Sequence, residues 1–348
     1  MAKLYEKRIF IFHTHFVQIE GAENCRLPFL YAQRKKEIET RKVKKKMARH
    51  NIAFLYAQVY KKPEFKLNRE TGEPEYGMMY LTVLRGYRDV KDGKLYTKQD
   101  HPMVMTKEPT ILQQMVELNE NDIVLVKGTI ASKNIRKGSF CPDETCLDEN
   151  GNRTKNIVDG LLMYINPIYM QKICSFESKG AAIEYLNQHK EISNQVYVLG
   201  TLVRDPKKFK TKNGLIITQY QIALNRKYKT RTDPPEVRTD YPWVKSYGEQ
   251  AVEDRMRLHT GSVVFIDGII QARRVHRKTK CRCCGKEYEW IDNTMELVPY
   301  DIEYMPGTFY SDEDIEATKQ EKAADVFKKL FGGDEKDDIL DEDMNVVE

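Results

Sequence analysis

The chain contains one structural unit twice, and that repetition limits its architecture before any secondary structure is assigned. One copy begins at Asn51 (Asn-Ile-Ala-Phe-Leu-Tyr) and the other at Asn194 (Asn-Gln-Val-Tyr-Val-Leu). Each meets a proline, Pro63 or Pro206, 12 residues later. From Tyr80 the steps to Pro102, Gly128 and Cys141 are 22, 26 and 13 residues, and the same three steps lead from Tyr220 to Pro242, Gly268 and Cys281. The difference in length, three residues, is assigned to the first loop. Local residues agree: Asp100-His-Pro-Met-Val aligns with Asp240-Tyr-Pro-Trp-Val, and Val124-Leu-Val-Lys-Gly-Thr-Ile with Val264-Phe-Ile-Asp-Gly-Ile-Ile. Two unrelated β domains with similar turns would not agree at so many ordered positions.

Each copy reads as β. In the second, Val196 to Val203, Ile216 to Leu224, Trp243 to Tyr247 and Val263 to Ile270 are short runs rich in β-branched and aromatic residues, separated by Gly, Pro and Asn turns. A helix is expected over Gly248 to Leu258, with Ala251, Val252, Met256 and Leu258 on one apolar face. Three strands, a helix and a long hairpin form the order of an OB barrel. The expected fold class is therefore mainly β, two tandem OB-fold barrels with long cysteine-tipped hairpins, and 348 residues suffice for two cores. The expected organisation is an N-terminal extension with a basic helix (1–50), a first OB domain (51–173), a linker helix (174–193), a second OB domain (194–306), a C-terminal helix (307–333) and a disordered acidic tail (334–348).

Charge points to the partner. The formal net charge is +5, yet Asp334 to Glu348 holds eight acids and one lysine, leaving +12 on the rest. A basic body with an acidic tail suits a polyanion. Arg34 to Arg49, with nine basic and two acidic residues and neither Gly nor Pro, reads as a helix that either grips phosphates or is simply solvated. No apolar run approaches the roughly 18 residues of a membrane span, and Ile9 to Phe12 stops at His13 without a cleavage site. A cytoplasmic location is expected. Without a Walker loop, Gly-x-Ser-x-Gly, His-Glu-x-x-His or a carboxylate cluster outside the tail, no catalysis is expected.

The second copy resembles a known family. Asn194-Gln-Val-Tyr-Val-Leu-Gly, Leu202-Val-Arg-Asp-Pro, Ile222-Ala-Leu-Asn-Arg, Thr239-Asp-Tyr, Tyr247-Gly-Glu, and Gly261-Ser-Val-Val followed by Gly268-Ile-Ile-Gln look like the bacterial single-stranded-DNA-binding proteins of replication. The resemblance runs from Asn194 to about Arg277; the first copy is tied to it only through the repeat. It implies binding of single-stranded DNA during replication, recombination or repair, with base-stacking aromatics at Tyr228, Tyr241 and Tyr247. A further family aromatic falls at Val275. It also implies recruitment of replication or repair proteins through the acidic tail, although this chain ends Val346-Val-Glu rather than in proline and phenylalanine. A homo-oligomer, with a dimer favoured, is expected. The competing readings are an RNA-binding or primosome-type OB protein and an interaction scaffold.

The residues support this reading independently. Tyr241, Trp243, Lys245 and Tyr247 alternate along one strand and so share one side of the sheet. Aromatic planes interleaved with a cation suit a single strand, because every base has a π-face and every nucleotide a phosphate. Arg226, Lys227, Lys229 and Arg231 follow the second strand, and Arg273, Arg274, Arg277, Lys278 and Lys280 line the hairpin. The alternative is aromatics partly in the core and charges on a solvated face. In the first copy His101, Met103, Met105 and Lys107 stand in the four places, so stacking is expected to be lost there. Lys133, Arg136 and Lys137, with Arg85 and Arg88, still offer phosphate contacts; the copy is either a second reader or a partner that completes the architecture.

The seven cysteines, an odd number, argue against a disulfide framework. Cys141 and Cys146 fall at the tip of the first long hairpin, and Cys281, Cys283 and Cys284 at the tip of the second. Cys-Arg-Cys-Cys-Gly-Lys resembles half of a zinc ribbon, and tetrahedral zinc needs two halves. One structural zinc held by Cys141, Cys146, Cys281 and Cys284 is expected, bridging the barrels, with Cys283 or His276 as substitutes. Reduced, unliganded thiols and a site closed between two chains are the alternatives.

Overall fold

In the computed structural model, residues 50–88, 93–211, 214–226 and 239–319 are described. The basic helix expected at Arg34 to Arg49, the end of the expected C-terminal helix, and the acidic tail lie outside them.

Strand pairing closes two rings. The first unit contains β1 (Asn51–Val59), β2 (Glu64–Leu67), β3 (Pro74–Arg88), β4 (Leu95–Asp100), β5 (Met103–Thr106), α1 (Pro109–Val116), β6 (Ile123–Phe140) and β7 (Lys155–Cys174). Strand β1 pairs with β3 and β6, β3 with β5, β5 in parallel with β7, and β7 with β6, a five-strand barrel. The second unit repeats the order in β8 (Asn194–Leu202), β9 (Lys207–Lys210), β10 (Ile216–Asn225), β11 (Thr239–Asp240), β12 (Trp243–Tyr247), α2 (Gly248–Arg257), β13 (Val263–Lys280) and β14 (Glu287–Tyr304). Its ring runs β8, β10, β12, β14, β13 and back to β8. Alternation explains the cores: along β8 every second residue is buried, placing Val196, Val198 and Leu202 inside.

The repeat counted from the sequence needs one correction. The register partners Val59↔Leu81 and Leu202↔Ile222 make Leu81 the counterpart of Ile222, so Tyr220 corresponds to Met79, not Tyr80. Met79 and Tyr220 are both core residues. The three-residue difference is therefore split: two residues in the loop before β3 and one between β3 and β5. A one-residue slip moves a strand side chain to the opposite face, and Tyr80 points outward, where its counterpart is Gln221.

The barrels join through their first strands. Strands β1 and β8 pair antiparallel, with Ala53 opposite Val196, so one sheet runs through both rings. At both barrels an asparagine amide closes the first strand onto the long hairpin. Asn51 donates to the Ile130 carbonyl and accepts from its N–H at 2.9 and 2.8 Å, while Asn194 does the same with Ile270 at 2.8 and 3.0 Å.

The four longest strands leave the barrels as arms. They bend at bulges beside Gly128 and Gly268. A Cβ at Gly128 would lie 2.7 Å from the Asn166 carbonyl oxygen, and one at Gly268 would collide with the Val298 carbonyl. The same close approach of two backbones explains why both copies carry glycine there.

The linker helix αL (Lys179–Asn187) is capped by Ser178, whose Oγ accepts from the Ala181 N–H. It buries Ala182 and Leu186 against Tyr56, Leu84 and Ile123 of the first barrel. Ala251 of α2 and Leu258 just beyond its end are buried, but Met256, expected on the apolar face, is exposed. Asp254 is buried instead: Ser246 Oγ, Gln250 Nε2 and the Tyr304 hydroxyl all donate to its carboxylate.

Candidate nucleic-acid interface

Strand β12 points Val244 and Ser246 into the barrel and presents Trp243, Lys245 and Tyr247 on the opposite side, next to Tyr241 in the preceding turn. Tyr241 is 43% exposed. Trp243 is half-buried, with the Arg204 guanidinium 5.4 Å from its ring centroid, a cation–π contact. Gln221 holds this corner: its amide donates to the Tyr241 carbonyl at 2.8 Å and its oxygen accepts from Arg204 at 3.2 Å. Tyr247 is half-buried as well; burial, then the neighbouring Glu296 carboxylate, push its phenol well above the usual range.

Several cations expected to meet phosphates are used within the protein. Arg226 is buried and pairs with Asp240 at 2.6 Å. Lys245, although on the outward side, is also buried, 3.4 Å from Glu296, and Arg273 meets the same carboxylate at 2.9 Å. Arg277 binds Asp292 at 2.7 Å, shared with Lys137, and stays half exposed. Burying a cation without a paired carboxylate is costly, and Arg226, Lys245 and Arg273 each meet one. Lys133, Arg136 and Arg274 are exposed and make no ion pair among the described residues. Tyr228 and Lys229 lie outside the described residues.

The buried pairs lock the barrels to each other reciprocally. Asp240 accepts from the Ser132 N–H of the first unit at 2.8 Å, and Ser132 Oγ accepts from the Tyr241 N–H at 2.8 Å. In the mirrored place, Asp100 pairs with Arg85 at 2.5 Å and accepts from the Ala272 N–H of the second unit at 3.1 Å. Tyr241 is thereby fixed by the arm of the other barrel.

At the arm tips four thiols converge. Cys141 Sγ lies 3.8 Å from Cys284 Sγ, Cys146 Sγ 3.7 Å from Cys281 Sγ, and all four sulfurs fall within 4.8 Å of one another. The turn after Cys281 closes because Gly285 adopts a φ of 73° and donates its N–H to the Cys281 carbonyl at 3.0 Å. Backbone N–H groups of Cys284 and Cys283, with Asn156, lower the Cys281 thiol to about 6, whereas burial raises Cys141 to about 12. This cluster could hold a metal ion. Cys283, exposed, and His276, which faces Glu289, are not part of it. Around the cluster, Tyr288 ties the arms together through Ser139 Oγ and the Asn156 amide, at 2.9 and 2.8 Å.

Two groups were not singled out from the sequence. Arg204 belongs to the Leu202-Val-Arg-Asp-Pro motif, where its charge was the available signal. Phe140, exposed beside Cys141, has Arg153 and Lys155 at 5.7 and 5.5 Å from its ring centroid.

Residues 193–289 match the Single-strand binding protein family. A single-stranded DNA-binding protein of Thermotoga maritima is 24% identical over 136 residues, covering 39% of this chain and 94% of that protein. One of Aquifex aeolicus is 25% identical over 87 residues, covering 25% of this chain and 59% of its own length. A crystal structure of the wild-type single-stranded DNA binding protein from Thermus aquaticus has 14% identity and a TM-score of 0.44, over 74% of this chain and 94% of that one.

Proposed function

We propose that this chain, whose residues 193–289 match the Single-strand binding protein family, binds single-stranded DNA without catalysing a reaction on it, in replication, recombination or repair. The observation that carries this reading is the outward-facing corner of Tyr241, Trp243 and Arg204, two ring faces and a guanidinium beside the exposed cations of the arms. Bases stack on the rings, each stack contributing roughly 1–3 kcal/mol, while Arg204, Arg274, Lys133 and Arg136 meet phosphates. Arg226, Lys245, Arg273 and Arg277 support that surface through their carboxylates, and Tyr247 adds apolar ring surface at its base. Tyr228 and Lys229 are assigned to DNA contact from the sequence alone.

One zinc joins the arm tips. A tetrahedral centre with bonds of ~2.3 Å has ligand–ligand edges of ~3.8 Å, and the paired sulfurs stand 3.7 and 3.8 Å apart. Cys141, Cys146, Cys281 and Cys284 bind it as thiolates; its part is structural. The acidic tail, 334–348, recruits replication or repair proteins, and the chain assembles as a homo-oligomer in the cytoplasm.

Fluorescence anisotropy with labelled single-stranded DNA, the matching duplex and the matching RNA at two salt concentrations tests the function. Preference for the DNA single strand, weakening as salt rises, is expected. Equal or tighter binding of duplex would refute it, and preference for RNA would favour the RNA-binding alternative.

A further inference from the structure

The first barrel, expected to lack stacking groups, carries an aromatic face of its own. Tyr60, at the end of β1, packs its ring on His101, with centroids 4.3 Å apart and planes at 35°. Lys179 Nζ lies 5.1 Å and Lys61 Nζ 5.8 Å from the centroid of Tyr60. Arg274 comes to the same corner from the other barrel's arm: two residues before it on the same strand side, the Ala272 N–H donates to Asp100, the neighbour of His101, at 3.1 Å, and burial, then Lys179 and Arg274, lower the affinity of His101 for a proton. Lys61, Lys179 and Arg274 are exposed, and among the described residues none of them has a carboxylate within ion-pairing distance.

The aromatic surface continues across the sheet. Met103 and Met105 of β5 pack with Tyr164 and Leu162 of β7 and with Tyr76 of β3. Tyr76 and Tyr80, four residues apart on β3, share its outward side. Register makes His101, Met103 and Met105 the counterparts of Tyr241, Trp243 and Lys245, and makes Tyr164 the counterpart of Glu296. The second barrel thus spends Lys245 and Arg273 on a buried acid at the place where the first has a tyrosine and a methionine.

We propose that this face of the first barrel is a second single-strand binding site, in which bases stack on Tyr60, His101, Tyr76 and Tyr80, and phosphates meet Lys61, Lys179 and Arg274. It lies outside the matched segment 193–289 and rests on the single-strand reading of the second barrel. Arg274, carried by the second barrel's arm, connects the two sites, so one strand passes from one face to the other. Lys179 opens αL, so a phosphate there also meets the helix's positive end.

Isothermal titration with oligo(dT) of about eight nucleotides, within the range one OB fold covers, counts the sites. Both tryptophans, Trp243 and Trp290, belong to the second barrel, so their fluorescence reports that barrel alone. The intact chain should bind two oligonucleotides, and Lys61→Glu/Lys179→Glu should bind one, with the tryptophan quenching unchanged. Both lysines are exposed, and unchanged circular dichroism would verify that the variant is folded. One oligonucleotide per intact chain with full quenching would overturn this second site while leaving the proposed function standing. Two per chain in the variant, at unchanged affinity, would also overturn it. Absence of binding and quenching in the intact chain would instead remove the proposed function itself.

Discussion

Replacing Cys146 with serine tests the cysteine cluster most sharply. Cys146 Sγ lies 3.7 Å from Cys281 Sγ, and the cluster joins hairpins 135 residues apart in sequence. Serine keeps the side-chain shape at slightly smaller volume and removes one of four sulfur donors. With free zinc at a hundredfold its dissociation constant, the metal stabilises the folded chain by about 2.7 kcal/mol. At about 2–4 °C per kcal/mol for a unit of this size, that is a melting shift of roughly 5–10 °C. Cys146→Ser or chelation should abolish that shift and lower the zinc content from one per chain. The barrels are held by β1 and β8 as well as by the two Asp–Arg clamps, so hydrogen exchange should rise at the arm tips and stay slow in those strands. Refutation would be metal-free protein, purified without chelator, whose melting temperature and arm-tip exchange ignore added zinc.

The remaining expectations concern the clamp, the bend and the stacking corner. Asp240→Ala leaves Arg226 buried without its carboxylate and should cost about 3–5 kcal/mol in urea unfolding, whereas Lys66→Ala, at an exposed pair with Glu75, should cost less than about 1 kcal/mol. Gly128→Ala forces a methyl group against the Asn166 carbonyl and should destabilise by about 1–3 kcal/mol, measured the same way. Arg204→Ala should weaken DNA binding and reduce the slope of log affinity against log salt by about one phosphate contact, read by anisotropy at four salt concentrations.

Particular residues show how far the sequence carried. Duplication was legible because turns and bulges need particular residues: Gly128 and Gly268 stand where two backbones nearly touch, and the count of 13 residues from each to Cys141 and Cys281 then brings the hairpin tips together. The face assignments were less legible. Counting from Tyr80 and Tyr220 missed the single residue absorbed between β3 and β5, and because strand side chains alternate, that slip hid the outward tyrosine of the first barrel. Lys245, Arg273 and Arg226 read as phosphate ligands because their carboxylates come from other strands: Glu296 lies on β14 and Asp240 on β11. Linear spacing does not show such partners. Met256 is exposed and Asp254 buried for a similar reason, since Ser246, Gln250 and Tyr304 supply donors to the carboxylate that periodicity cannot count.

The proposed function requires a single strand to stack on the Tyr241–Trp243 corner. Its most direct measurement is tryptophan fluorescence of the intact chain titrated with oligo(dT), repeated with Tyr241→Ala and with Trp290→Phe. Saturable quenching is expected that survives in Trp290→Phe and weakens at least several-fold in affinity in Tyr241→Ala. Binding without any quenching of Trp243, or equal affinity in Tyr241→Ala, would contradict it.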